Sequence, residues 1–223
     1  MTFLRRHGIS LFFGAILLGS LIGQSFAGLH QFNAEAIEHD AQTYSWFRFV
    51  TSSEFGGDVL ENWQSEFLQF FLYIYATVYL IQRGSSESKE PGETGLESDE
   101  DQLVGRFATA NSPRWARRDG WRLSVYSRSL GLVMGAIFLL SWIAQSVAGR
   151  AAYNAQQLSQ FEDPVSWFGY VGSPDFWSRT LQNWQSEFLA VAAMSAFSIY
   201  LRQRGSPESK PVGSPHATTG QQG

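Results

Sequence analysis

Two glutamates, Glu66 and Glu187, stand in identical Asn-Trp-Gln-Ser-Glu-Phe-Leu runs at 62–68 and 183–189, each about one helical turn into an apolar stretch. A carboxylate in that setting can exchange a proton or hold a cation, because ionisable groups within a membrane mark ion and proton paths. It can equally act as a hydrogen-bonding link between helices, at modest cost close to the membrane boundary. Gln24 lies three residues before the end of the first apolar stretch and Glu66 three residues after the start of the second. With a rise of roughly 1.5 Å per residue, the two reach similar depths. Gln145 and Glu187 repeat the arrangement. The candidate polar layer is therefore Gln24, Asn62, Gln64, Glu66, Gln145, Asn183, Gln185 and Glu187.

Little other chemistry is offered. The chain has no cysteine, which excludes disulfides, thiolate nucleophiles and Cys-based metal centres. Its histidines, His7, His30, His39 and His216, do not cluster, so no metal site is expected. There is no phosphate-binding loop, dinucleotide fingerprint, HExxH or GxSxG run, so neither a cofactor nor an enzyme class is indicated.

The elements that must carry these residues are apolar helices. Residues 9–27 and 130–148 are free of charge and close to the roughly 20 residues that cross a hydrocarbon core. Residues 63–81 and 184–201 are weaker spans, each with its glutamate near the start, so Trp63 and Trp184 fall at the membrane boundary as anchors. The mean hydropathy of −0.15 hides these segments by averaging them with a charged linker and polar tails. The expected fold is all-α and polytopic, with four transmembrane helices in two duplicated hairpins and short interfacial helices in the outer loops.

Basic residues orient the spans, because Lys and Arg stay on the cytoplasmic side during insertion. With the N-terminus inside, thirteen of the 16 basic residues are cytoplasmic, and only Arg48, Arg150 and Arg179 fall in the outer loops. Both ends and the central linker are thus expected in the cytoplasm, with Arg83 and Arg204 as anchors at the inner boundary. Arg5-Arg6, the apolar run and Ser25-Phe26-Ala27 also fit a cleavable signal peptide. The same small-residue ending recurs internally at Ser146-Val147-Ala148, which favours retention.

An offset of 121 maps the first half onto the second without a gap, and between 62–89 and 183–210 sixteen of 28 positions are identical. Such identity marks an internal repeat. Each repeat has two spans, so both enter the membrane the same way round, unlike the inverted repeats of many transporters. Ala15, Gly19, Gly23 and Ala27 form a four-residue stripe suited to close helix packing, with Ala136, Ala144 and Ala148 as the small residues of the third span. The stripe serves either the neighbouring repeat or a homo-oligomer.

The motif at 62–68 and 183–189, together with Gln24-Ser25 and Gln145-Ser146, resembles a family of bacterial membrane proteins described as a domain of unknown function. The resemblance covers nearly the whole chain. It implies a bacterial membrane protein and nothing about mechanism.

The expected organisation is a first two-helix repeat over 1–84, a disordered acidic linker over 85–112, a basic juxtamembrane segment with the second repeat over 113–204, and a disordered tail over 205–223. Ser112-Pro113 can open a short helix whose Arg114, Arg117 and Arg118 suit anionic lipid headgroups, while nucleic-acid binding is not expected. In the outer loops, Asn33 and Asn154 are expected to cap short helices whose aromatic residues face lipid. The functional expectation is a structural or assembly component of the bacterial inner membrane. The alternative is a small proton- or cation-linked permeation protein that uses Glu66 and Glu187.

Overall fold

The computed structural model describes residues 3–90 and 92–220. Eight α-helices and a 3-10 turn at Gly105–Phe107 account for its regular structure, and no strand occurs among the described residues. The helices are α1 (Phe3–Arg6), α2 (Gly8–Glu38), α3 (Trp46–Val50), α4 (Ser53–Tyr79), α5 (Trp121–Ser127), α6 (Ser129–Ser159), α7 (Trp167–Val171) and α8 (Pro174–Tyr200). The bounds of α2, α3 and α4 recur 121 residues later in α6, α7 and α8.

Two helices, α2 and α6, are long and apolar enough to cross a membrane. Both outrun the apolar segments inside them. α2 continues to Glu38, and α4 begins at Ser53 instead of near Trp63. A hydropathy window registers only the lipid-like part of a helix, whereas polar helix formers extend it for several turns into water.

Each copy ends its long first helix in the same way. Asp40 and Phe161 take left-handed backbones, with φ of 52° and 59°. Just beyond them, Ala41 N–H donates to the Ala36 carbonyl at 2.7 Å and Glu162 N–H to the Gln157 carbonyl at 2.8 Å. Such reversals satisfy carbonyls left open at a helix C-terminus.

Asn33 and Asn154 do not cap the short helices, contrary to expectation. Each sits inside its long helix and brackets the returning chain. The Asn33 amide donates to the Tyr44 carbonyl at 2.9 Å and its oxygen accepts from Tyr44 N–H at 2.7 Å. Asn154 does the same with Val165, at 3.1 and 2.9 Å. A side-chain amide offers one donor and one acceptor, so it can replace a pair of backbone partners. The caps of α3 and α7 are Ser45 and Ser166, whose hydroxyls accept from Arg48 N–H and Gly169 N–H.

The loop aromatics divide between interior and surface. The Trp46 indole donates to Ser25 Oγ at 3.0 Å, and the Trp167 indole donates to Ser146 Oγ at 3.0 Å. Phe49 and Tyr170 are buried against Gly28 and Gly149, where any larger residue would collide with the rings. Phe176 is buried as well. The expectation that these loops lay their rings in lipid therefore fails for Phe49, Tyr170 and Phe176, while Phe47 and Phe168 remain exposed.

The chain divides into two compact units that do not follow the sequence halves. One comprises Met1–Leu60 with Ala144–Gly172, and the other Glu61–Ile143 with Ser173–Gly223. Within the second unit α6 packs on α4 through Gly131 and Gly135. An added Cβ would lie 2.6 Å from the Tyr75 ring at Gly131 and 2.8 Å from the Phe71 ring at Gly135. The expected stripe on α2 has no such role within the chain. Ala15, Gly19, Gly23 and Ala27 are exposed, and a Cβ on Gly19 or Gly23 would meet nothing within 4 Å. Ala136 is exposed too, whereas Ala144 and Ala148 are half-buried, Ala148 lying 4.0 Å from a Cβ built on Gly57.

The linker and tail, expected to be disordered, carry specific contacts. Lys89 pairs with Glu97 at 3.0 Å and donates to the Gly95 carbonyl at 3.0 Å. The first cause of the depressed Glu97 carboxyl pKa is its hydrogen bond to Lys89. The segment after Pro113 forms turns, not the expected helix, and α5 starts only after Gly120, whose φ is 70°. Arg117 helps set those turns, its Nε donating to the Ser112 carbonyl at 2.8 Å.

Phe161 is 99% exposed, so its side chain gives nothing back for its left-handed backbone. Replacing it by glycine should stabilise the protein by about 1 kcal/mol, read as a higher unfolding temperature in detergent. The same change at Phe168, whose backbone is helical, should lower it.

Candidate functional site

The duplicated Trp-Gln-Ser-Glu run lies one-third of the way along α4 and α8. Its two copies do different work. Gln64 is fully buried, its Nε2 donating to the Glu61 carbonyl at 3.1 Å and its Oε1 accepting from the Trp184 indole at 2.8 Å. The corresponding residues in the opposite copies, Trp63 and Gln185, are both exposed. Trp184 thus spends its polar edge on a neighbouring helix and is not simply a boundary anchor. Arg83 and Arg204 are exposed.

Around this bond lies a set of charges and rings. Arg179 on α8 reaches Glu61 on α4 at 3.6 Å and Asp175 on its own helix at 3.2 Å. Asn183 Nδ2 donates to the Arg179 carbonyl at 2.9 Å. The Trp142 ring stands about 6 Å from the rings of Phe176, Trp177 and Trp184. Its indole N–H and the Thr180 hydroxyl are buried without a hydrogen-bond partner. Groups left in that state cost about 1–3 kcal/mol each, a cost that ordered water or a polar ligand would relieve.

Glu66 is exposed and Glu187 is half-buried. Gln145 is fully buried with both amide atoms unpartnered, while Gln24 is half-buried. Ser65 is buried and its hydroxyl donates to the Asn62 carbonyl at 2.9 Å. No cluster of His, Asp and Glu fit to hold a metal occurs among the described residues.

A second polar assembly, which sequence reasoning missed, closes the C-terminal ends of α4 and α8. It is made by the repeated Gln-Arg-Gly-Ser turns. In one copy Gln82 N–H donates to Ser88 Oγ at 3.0 Å, and in the other Gln203 N–H donates to Ser209 Oγ at 2.9 Å. Glu87 N–H donates to Ser85 Oγ, and Glu208 N–H to Ser206 Oγ.

The copies also meet each other. Lys210 is buried and donates to the carbonyls of Gly84 at 2.6 Å, His216 at 2.9 Å, Thr218 at 3.0 Å and Pro215 at 3.4 Å. Burial, and next the nearby Arg202, push its ammonium towards the neutral form. The tail closes over the first turn, where Gly84 N–H donates to Thr219 Oγ1 at 2.9 Å and Gly220 N–H to the Ser85 carbonyl at 3.1 Å. Gly84 needs its φ of 88°, and a Cβ there would sit 2.6 Å from the His216 carbonyl. The signal was present in the sequence as Gln-Arg-Gly-Ser and Glu-Ser-Lys identities, but a polar composition pointed to disorder. The glycine packing at Gly131 and Gly135 was also legible, as a second four-residue spacing.

The profile of the family described as "Domain of unknown function (DUF6766)" matches residues 1–221. No curated protein and no solved structure matches the chain.

Gln64→Leu should strand the Trp184 indole and destabilise the protein by about 1–3 kcal/mol, measured by thermal unfolding with Trp fluorescence as the probe. Gln185→Leu, at the exposed matching position, should stay within about 0.5 kcal/mol of the parent.

Proposed function

Because the chain belongs to the DUF6766 family, a domain of unknown function, we propose from its own physical chemistry that it is a four-span bacterial inner-membrane protein with a structural or assembly role. Its ends and central linker face the cytoplasm. The observation that carries this reading is α2. Phe12, Phe13, Ile16, Leu17, Leu18 and Ile22 spread around most of that helix and every one is exposed. An uncharged helix that is apolar all round is stable only when hydrocarbon or apolar protein surrounds it. α6 has the same character over 130–148.

α4 and α8 complete the two hairpins in this reading. Their glutamate-bearing turns lie in the outer leaflet, where Gln64, Trp184, Glu61 and Arg179 supply local partners. The recurrence of helix bounds and of the Asn33 and Asn154 brackets at one offset supports a duplicated hairpin. Lipid is the partner at the inner boundary. Arg114 and Arg118 are exposed beside the exposed rings of Trp115 and Trp121, a combination suited to anionic headgroups. Arg117 contributes less, being committed to the Ser112 and Ala110 carbonyls. No catalysis is assigned.

A second reading, permeation of protons or cations, is supported by the recurrence of a carboxylate at the same place in each copy, Glu66 and Glu187. The two readings separate in liposomes. The structural role predicts no proton or cation flux from the purified protein and full abundance of Glu66→Gln/Glu187→Gln in cells. Flux that the double substitution abolishes would establish permeation instead.

The absence of native cysteine makes topology directly measurable. Single cysteines at Glu100 and Gly213 should both resist an impermeant thiol reagent in intact cells and both react after lysis. Labelling of one but not the other in intact cells would overturn the even number of crossings.

A further inference from the structure

Trp142 of α6 stands among the rings at the start of α8, 6.1 Å from Phe176, 6.0 Å from Trp177 and 6.0 Å from Trp184. Thr180 lies one turn from Phe176 and one turn from Trp184, so it shares the face of α8 that carries those two rings. It has no exposed surface. The two helices thus bring an indole N–H and a hydroxyl to one place, and neither group has a hydrogen-bond partner. The usual outlet for a threonine inside a helix is the carbonyl one turn back. Thr77 of α4 takes it, donating to the Tyr73 carbonyl at 2.9 Å, whereas Thr180 makes no such bond.

The polar groups of the surrounding cluster are engaged with one another. Gln64 Oε1 accepts from the Trp184 indole at 2.8 Å, and Glu61 and Asp175 face Arg179 at 3.6 and 3.2 Å. Phe138, with its ring 5.7 Å from that of Trp142, adds an apolar wall. The first copy supplies an internal control. At the positions 121 residues earlier stand Leu21 for Trp142, Val59 for Thr180 and Gly56 for Trp177, while Phe55 matches Phe176. Both polar groups are therefore replaced together by apolar side chains. Packing between helices is met by such an apolar pair, so the paired change to an indole and a hydroxyl points to a ligand that both groups bind.

We propose that Trp142 and Thr180 form a binding site, particular to the second copy, for one acceptor oxygen held between α6 and α8. The indole N–H can only donate and the hydroxyl has a proton to give, so the ligand that satisfies both is an oxygen with two lone pairs. A water molecule supplies such an oxygen, and so does the ester carbonyl of a phospholipid. Held by both donors, it relieves two buried polar groups at once and ties α6 to α8 at that level. The site stands whether the protein has a structural role or a permeation role, because it uses neither Glu66 nor Glu187.

The full chain, isotope-labelled at its tryptophan indole nitrogens, tests this by nuclear magnetic resonance in nanodiscs of ester-linked phosphatidylglycerol and of its ether-linked counterpart. Trp142→Phe identifies the Trp142 resonance by its loss. The proposal predicts an indole proton shifted downfield as in a hydrogen bond, a shift kept in Thr180→Ser and lost in Thr180→Val. Cross-relaxation with water in both lipids assigns the oxygen to water, and a downfield shift confined to the ester lipid assigns it to the carbonyl. Thr180→Val should also lower the unfolding temperature, by about 2–4 °C, because the ligand loses one of its two partners. An unshifted indole proton in both lipids overturns the proposal. So does a Thr180→Val variant with an unchanged or raised unfolding temperature, the result expected when an unpaired hydroxyl is removed. The parent spectrum and Thr180→Ser decide the question if Thr180→Val does not fold.

Discussion

An uncharged and largely apolar helix must be enclosed by something as apolar as itself, and α2 is such a helix from Ile9 to Ala27. Its own chain leaves most of it unenclosed, with Phe12, Phe13, Ile16, Leu17, Leu18 and Ile22 all exposed. The remaining features follow from that constraint. Charged and amide-bearing side chains collect beyond the apolar part, where the helix runs on to Glu38 and the chain returns through the Asn33 bracket. Backbone groups released at the turns are satisfied by local side chains such as Ser45 and Ser166.

The repeated sequence does not produce repeated contacts at every level. Local brackets come out alike in both copies, because Asn33 with Tyr44 and Asn154 with Val165 depend only on neighbours within their own copy. Contacts between copies diverge. Gln64 receives the Trp184 indole while Trp63 and Gln185 face outwards, and Lys210 is buried while Lys89 pairs with Glu97. The divergence has a visible source in the helices themselves. Phe71 and Tyr75 on α4 are answered by Ala192 and Ala196 on α8, so the glycines of α6 meet large rings on one helix and have no like counterpart on the other.

Much of the helical plan was legible in the sequence, since 9–27 and 130–148 fall within α2 and α6. The helix ends were not. Hydropathy marks where lipid would be, while Glu38 and Ser53 mark where backbone hydrogen bonding stops and resumes. The Asn33 bracket reaches eleven residues along the chain, a separation at which no local pattern betrays it. Lys210 was hidden for a different reason. Its acceptors are main-chain carbonyls, which every residue has, so a tail rich in Gly, Pro and Ser looked featureless. Glu66 and Glu187 are recognisable in the sequence as carboxylates at matching positions of the two copies. Gln64 was read only as one of several polar residues, because the Trp184 side chain that fixes it lies 120 residues away.

The claim that lipid surrounds α2 is tested most directly by a scan of single spin-labelled cysteines from Ile9 to Ala27 in bilayers, comparing access to oxygen with access to a water-soluble nickel chelate. Oxygen access should be high and nickel access low at every position, rising and falling with depth and showing no helical period. A face of the helix open to the nickel chelate, repeating every third or fourth residue, would contradict the account.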